Sequence, residues 1–212
     1  MELRRWIAVL AAVLLLAAVT AGAEEPYAPV LAQYAAGLAG DEAAREARES
    51  VWDAWMCAMY MPGSPAENVG YALPDLDGDG SPELVIGTVS EREPAEDLIF
   101  EILTLKDGVP VTVLRGWERF RVSLTRDPDT GVFGFYAEGS SGASNSVWQH
   151  ASAMQGLDAW ATAETLEAEW DLDTGVAVWT LNGAEIPGAQ GPVLAEAWGQ
   201  NLWQPEMRPF AE

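Results

Sequence analysis

Basic residues are scarce. The 212-residue chain carries 11 Lys and Arg against 33 Asp and Glu, a formal net charge of −22. The clustered cations that neutralise phosphates are therefore missing, and nucleic acid is excluded as a partner. Cysteine is nearly absent too. Cys57 stands alone and has no partner for an intramolecular disulfide, and with His150 as the single histidine it falls short of a four-ligand zinc site. No apolar run reaches the ~20 residues a membrane-spanning helix needs. What the chain does have is an apolar fraction of 49% and 10 Trp, enough to bury a core, so an acidic disordered tail is excluded as well.

The first residues have the pattern of a Sec-type export signal. Arg4 and Arg5 precede an apolar stretch from Trp6 to Val19, and Ala21-Gly22-Ala23 offers a cleavage site of small residues. The expected division is residues 1–23 as signal peptide and 24–212 as one domain, helical over 24–66, β-rich over 67–190, with a C-terminal helix and tail over 191–212. Cleavage leaves 32 acids and 9 bases, a charge of −23 whose self-repulsion strains the compact state and attracts cations. No cysteine adjoins the cut, so release or wall association is expected rather than lipid anchoring, with no stable membrane span after cleavage.

Spacing predicts helices over Pro29–Leu38 and Asp41–Tyr60, the second with Asp41 as N-cap and an apolar stripe of Val51, Trp52, Trp55 and Met59. Cys57 sits in that run beside Met56, Met59 and Met61 and is expected to be a buried, inert thiol. Pro62, Gly63 and Pro65 end the helix. Beyond Asn68, short β-branched and aromatic runs alternate with turn signals about every ten residues, the rhythm of an antiparallel meander. A hairpin is expected from Asp97–Lys106 through Asp107-Gly108 into Val109–Leu114. Further strands are expected at Arg119–Thr125, Val132–Ala137, Ser146–Met154, part of Leu157–Trp170, and Val176–Leu181, with a last short helix at Val193–Gln200. The fold class is α+β: N-terminal helices packed on an antiparallel meander sheet, with a short C-terminal helix.

One segment carries chemistry: Asp75-Leu-Asp77-Gly-Asp79-Gly80-Ser81-Pro-Glu83. Calcium takes six to eight oxygens, and this loop offers carboxylates at positions 1, 3 and 5, a backbone carbonyl at 7 and an acid at 9, with Gly80 at position 6 where the chain turns sharply. The bidentate Glu of a helix-loop-helix site, expected at position 12, is replaced by Ile86. Pro74 and the run Leu84-Val-Ile-Gly-Thr-Val89 point to strands on both sides, so the site is strand-loop-strand. Two carboxylates ~4 Å apart repel by roughly 4 kcal/mol at an effective dielectric of 20, and a divalent cation reverses that sign.

Tyr71 to Ile86 resembles the calcium loop of FG-GAP and VCBS-type repeats. More closely, the chain is similar to a group of uncharacterised secreted proteins and lipoproteins of gut Firmicutes. Those pair an N-terminal helix with an Asp-x-Asp-Gly-Asp-Gly-x-x-Glu-Leu loop, a Lys-Asp-Gly turn and a Gly/Ser/Ala segment, present here as Lys106-Asp107-Gly108 and Glu138–Ser146. The resemblance implies Asp75, Asp77, Asp79, Ser81 and Glu83 as ligands of Ca2+. A single loop argues against a multi-blade propeller.

Other candidates have plainer readings. Gly139–Ser146 lacks a Gly-x-Ser-x-Gly elbow and reads as a loop between strands. His150 lies in an alternating strand and reads as structural rather than as part of a triad. Asp127/Asp129 and Asp171/Asp173 each run into Thr-Gly and read as hairpin turns. Trp52, Trp55, Trp117, Trp148, Trp160, Trp170, Trp179, Trp198 and Trp203 are expected mostly in the core, with one or two rings free to stack on sugars. The functional expectation is an exported, non-catalytic surface or secreted module with a structural calcium ion and an extracellular partner, glycan or protein. The alternative is an extracellular hydrolase of glycan or peptide using acids the sequence does not single out.

Overall fold

The computed structural model describes residues 22–89, 98–117, 119–142, 144–154 and 163–211. Most of the expected export signal, Trp160 and the first part of Leu157–Trp170 lie outside them. Two antiparallel sheets are stacked, and helices cover both outer faces. After a 3-10 turn at Glu25–Tyr27 come α1 (Ala28–Leu38), α2 (Glu42–Ala47), α3 (Glu49–Ala58) and α4 (Pro65–Asn68). Strands β1 (Val69–Ala72), β2 (Leu84–Thr88), β3 (Ile99–Lys106) and β4 (Val109–Arg115) form the first sheet. The second holds β5 (Phe120–Arg126), β6 (Phe133–Gly142), β7 (Asn145–Ala151), β8 (Glu164–Trp170), β9 (Ala177–Leu181) and β10 (Ala184–Ile186). Helix α5 (Gln190–Trp198) follows, then β11 (Leu202–Trp203) and β12 (Arg208–Pro209).

The α+β class therefore holds, but the meander is divided between two sheets. Their orders are β12-β1-β2-β3-β4 and β10-β9-β8-β7-β6-β5-β11. The chain passes from one to the other at Gly116, where an added Cβ would strike the Ile99 carbonyl. The last residues return to both sheets, β11 pairing with β5 and β12 with β1. Two-residue strands are too short for any periodicity to be read, so the sequence shows this return only as a tail.

Three apolar clusters hold the layers together. Val85, Ile102, Val113 and Leu114 of the first sheet meet Val122, Leu124, Phe135 and Ala137 of the second. Tyr27, Val30, Tyr34, Val51 and Ala54 pack on the other face of the first sheet, against Leu84, Ile86 and Phe100. Trp198 and Leu194 of α5 cover Leu166, Ala168 and Trp179 of the second sheet. Every residue of β2 is buried, as expected of a strand covered on both faces, and its continuous apolar run Leu84-Val-Ile is the mark of that position.

Double coverage also encloses an acid. Along β3, Glu101 is only 2% exposed. Its Oε2 accepts hydrogen bonds from the Tyr34 hydroxyl (2.9 Å) and the Ser50 hydroxyl (2.7 Å). Its Oε1 accepts from the Arg48 guanidinium (2.6 Å) and the Thr112 hydroxyl (2.5 Å). Four donors satisfy the buried charge and tie α1 and α3 to the sheet. The same network breaks the helix expected over Asp41–Tyr60. Asp41 does cap α2, accepting from the Ala44 N–H at 3.2 Å, but Arg48 is extended (φ −144°, ψ 112°). From there it reaches both Glu101 and the Gln33 amide oxygen.

Arginines are spent on acids elsewhere too. Arg115 of β4 binds Glu49 and Asp53, one helical turn apart on α3, at 2.6 and 2.9 Å, and Arg208 pairs with Glu24 at 3.1 Å. A capping box between Ser64 and Glu67 starts α4 within the segment read only as a helix stop.

Two tight turns close hairpins, the first of them the expected Asp107-Gly108. Asp107 and Gly108 (φ 53° and 76°) join β3 to β4, and Asn182 and Gly183 (φ 51° and 77°) join β9 to β10, the left-handed pair that suits a two-residue hairpin. Gly139–Ser146 is not the plain loop expected: β6 runs on to Gly142 across a register shift, and β7 begins at Asn145. Tryptophan is less central than periodicity suggests. Among the described rings only Trp179 and Trp198 are buried, whereas Trp52, Trp117 and Trp170 are exposed; a ring this large is seldom enclosed completely. Cys57 is half-buried rather than buried.

Candidate metal centre

The Asp75–Glu83 segment forms the connection between β1 and β2, which pair antiparallel with Ala72 opposite Val85. Strands thus flank the loop on both sides. The Glu83 N–H donates to the Pro74 carbonyl at 2.8 Å and closes the loop at its base. Gly78 and Gly80 adopt φ of 76° and 90°, a region that a Cβ disfavours. Gly80 is the position expected to turn sharply; Gly78 is a second.

Backbone N–H groups curl inward onto the acids. Asp75 accepts from Gly78 (2.8 Å) and Gly80 (3.1 Å), Asp77 from Asp79 (3.1 Å), and Asp79 from Ser81 (2.6 Å). Glu83 accepts from Leu76 N–H at 2.7 Å and from the Thr104 hydroxyl of β3 at 3.1 Å. These bonds position the carboxylates without supplying a countercharge.

Three of the five expected ligands converge. One carboxylate oxygen each from Asp75, Asp77 and Glu83 lies within 4.8 Å of the others. Asp79 is outside that group, on the exposed side of the loop, and Ser81 is exposed beside it. Exposure falls across the cluster: Asp75 is exposed, Asp77 half-buried, and Glu83 only 3% exposed. A cavity of about 10 Å³ lies behind, lined by Leu76, Asp77, Glu83, Thr104, Val113 and Met154. That is about the room of one water, with three polar neighbours to hold it.

Burial raises the Glu83 carboxyl to about 7, and the charges of Asp77 and Asp79 add to the rise, while the bonds from Leu76 and Thr104 oppose it. No lysine or arginine among the described residues pairs with Glu83. An all-oxygen donor set of three carboxylates around a buried, unneutralised acid suits a hard divalent ion, and calcium above the softer metals. Tyr27 completes the floor: its hydroxyl donates to the Pro82 carbonyl at 2.9 Å, and burial together with the Glu83 charge pushes it up to about 12.

Tyr27 and Thr104 were not legible as parts of this site. Thr104 falls among the apolar members of its strand's alternation, and Tyr27 lies 48 residues before Asp75. Comparisons with protein-family models, with curated proteins and with solved structures return no match.

The remaining candidates fall outside the cluster. His150 stacks on Trp198 with ring centroids 5.4 Å apart, and burial lowers its pKa. Asp127 accepts from the Asp129 and Thr130 N–H groups, and Asp171 from those of Asp173 and Thr174. Both serve as turn caps that close the β5–β6 and β8–β9 hairpins.

Proposed function

We propose that this chain is an exported, acidic, non-catalytic surface or secreted module, stabilised by one calcium ion held by Asp75, Asp77, Asp79, Ser81 and Glu83. The observation that carries the reading is Glu83, an acid buried at the base of the cluster with two further carboxylates converging on it and no cation among the described residues to balance them. Burying such a charge is costly unless a counterion is supplied. The loop joins the first two strands, and Glu83 is bonded to β3 through Thr104. An ion there ties three strands together and has a structural part to play. Extracellular calcium modules bind at about 10⁻⁴ to 10⁻³ M, which suits an exported protein with constitutive occupancy. The partner of such a module is a glycan or a protein outside the cell. Among the described residues, no helix is long and apolar enough to cross a membrane.

Titration of chelator-treated protein with calcium in a calorimeter tests the reading. One site is expected, lost in Asp77→Ala; no heat and no change in melting at millimolar calcium overturns it. Sequencing the N-terminus of exported protein tests the other half, with Glu24 expected as the first residue.

A further inference from the structure

Three of the six methionines and the only cysteine fall within six residues, Met56-Cys57-Ala58-Met59-Tyr60-Met61. They occupy the last turn of α3 and the turn after it. The Met59 N–H donates to the Trp55 carbonyl at 3.0 Å and the Met61 N–H to the Ala58 carbonyl at 3.1 Å, so helical winding continues past Ala58. Met56 and Met59 are therefore i, i+3 neighbours on one face, where Cβ atoms stand about 5–6 Å apart. Trp52 lies one turn earlier on that face, its ring 5.5 Å from that of Trp55.

This face is turned to solvent. Trp52 is 43%, Met59 46% and Tyr60 80% exposed, whereas the buried side of α3 is made of Ser50, Val51, Ala54 and Ala58. Cys57 belongs to the inner side, packed against the cluster of helices and first sheet. Met59 is exposed, and Met56 and Met61 are half-buried like Cys57, but Met56 and Met59 lie on the side of the helix away from Ser50, Val51, Ala54 and Ala58. Core packing does not account for them, since an apolar stripe that serves the core faces inward.

A thioether is neutral at every pH, forms no disulfide, and is a soft donor that selects Cu(I) over hard ions. The C-terminal end of α3 places the negative pole of the helix dipole beside a bound cation, and the face of an indole adds a cation–π attraction. We propose that Met56 and Met59, joined by Met61 and flanked by the Trp52 ring, form a surface site for a soft monovalent cation of the Cu(I) type. It is separate from the calcium loop, whose donors are all oxygen, and hard and soft ions address the two sites independently.

The test titrates the protein with Ag(I), a redox-inert probe, and with Cu(I) under ascorbate against a chromophoric competitor, while tryptophan emission is followed. One equivalent is expected to bind and to quench emission. Met56→Leu and Met59→Leu keep side-chain volume, so melting should be close to wild type. Each should weaken Ag(I) binding by at least the roughly 10-fold that loss of even an outer partner costs a metal site. Cys57→Ser should retain binding, and calcium titration should be unchanged in all three variants. Undiminished Ag(I) affinity in the doubly substituted Met56→Leu, Met59→Leu protein overturns the proposal. So does loss of binding in Cys57→Ser alone, which assigns the metal to the thiol.

Discussion

Replacing Glu83 by glutamine should shift stability in opposite directions with and without calcium. In the folded chain burial raises the Glu83 carboxyl from 4.5 to about 7; in the unfolded chain it titrates near its ordinary value. Between those two pH values the folded state holds more protons than the unfolded one, so without metal this residue's contribution to stability falls as pH rises through the window. The difference corresponds to about 3 kcal/mol at full weight. Water reaching the loop beside the exposed Asp75 screens a good part of that and leaves roughly 1–2 kcal/mol. Glutamine has the shape of the protonated acid, and its amide can accept from the Leu76 N–H and donate to the Thr104 oxygen. In chelator at pH 7.5, Glu83→Gln should therefore melt above wild type, and the two should converge near pH 5. Calcium at 100 times its dissociation constant adds about 2.7 kcal/mol to a protein that binds it only when folded. The variant, without the innermost charge, should gain little. The order of melting should then reverse, by about 2–4 °C per kcal/mol for a chain of this size. A wild type that melts above Glu83→Gln in chelator at pH 7.5, or below it in saturating calcium, refutes the reasoning.

Glu101→Ala removes the acceptor shared by Tyr34, Arg48, Ser50 and Thr112, leaving two buried hydroxyls and a half-buried guanidinium without it. Urea unfolding should show a loss of about 3–5 kcal/mol, the range for a broken buried ion pair, and a loss under about 1 kcal/mol would mean the network does not anchor the helices. Gly80→Ala meets no neighbouring atom within 4 Å, so its cost is purely torsional, about 1–2 kcal/mol on the calcium-loaded protein. Asparagine at that position, which tolerates left-handed backbone, should recover part of it; equal calcium affinities for glycine, asparagine and alanine would show that the turn does not need its positive φ.

The features legible in the sequence are those that short stretches determine by themselves. Asp107-Gly108 and Asn182-Gly183 make tight hairpins because few residues enter left-handed backbone at low cost. Asp41 caps a helix because its side chain reaches the N–H three residues on, and Asp75, Asp77 and Glu83 can converge because all three lie within nine residues. Packing decided the rest. Whether Glu101 faces water or protein depends on the helices laid over β3, contributed by residues more than 50 positions away, and the break at Arg48 follows from the charge it must reach there. Two sheets replace one because the chain crosses at Gly116 and its tail returns to both, neither of which alters the local alternation. At the candidate metal centre the sequence by itself supplied the carboxylates, and the tertiary structure alone buried Glu83 beside Thr104 and Tyr27. Spacing along a chain sets which groups can meet, while the dielectric around them is set by whatever folds on top.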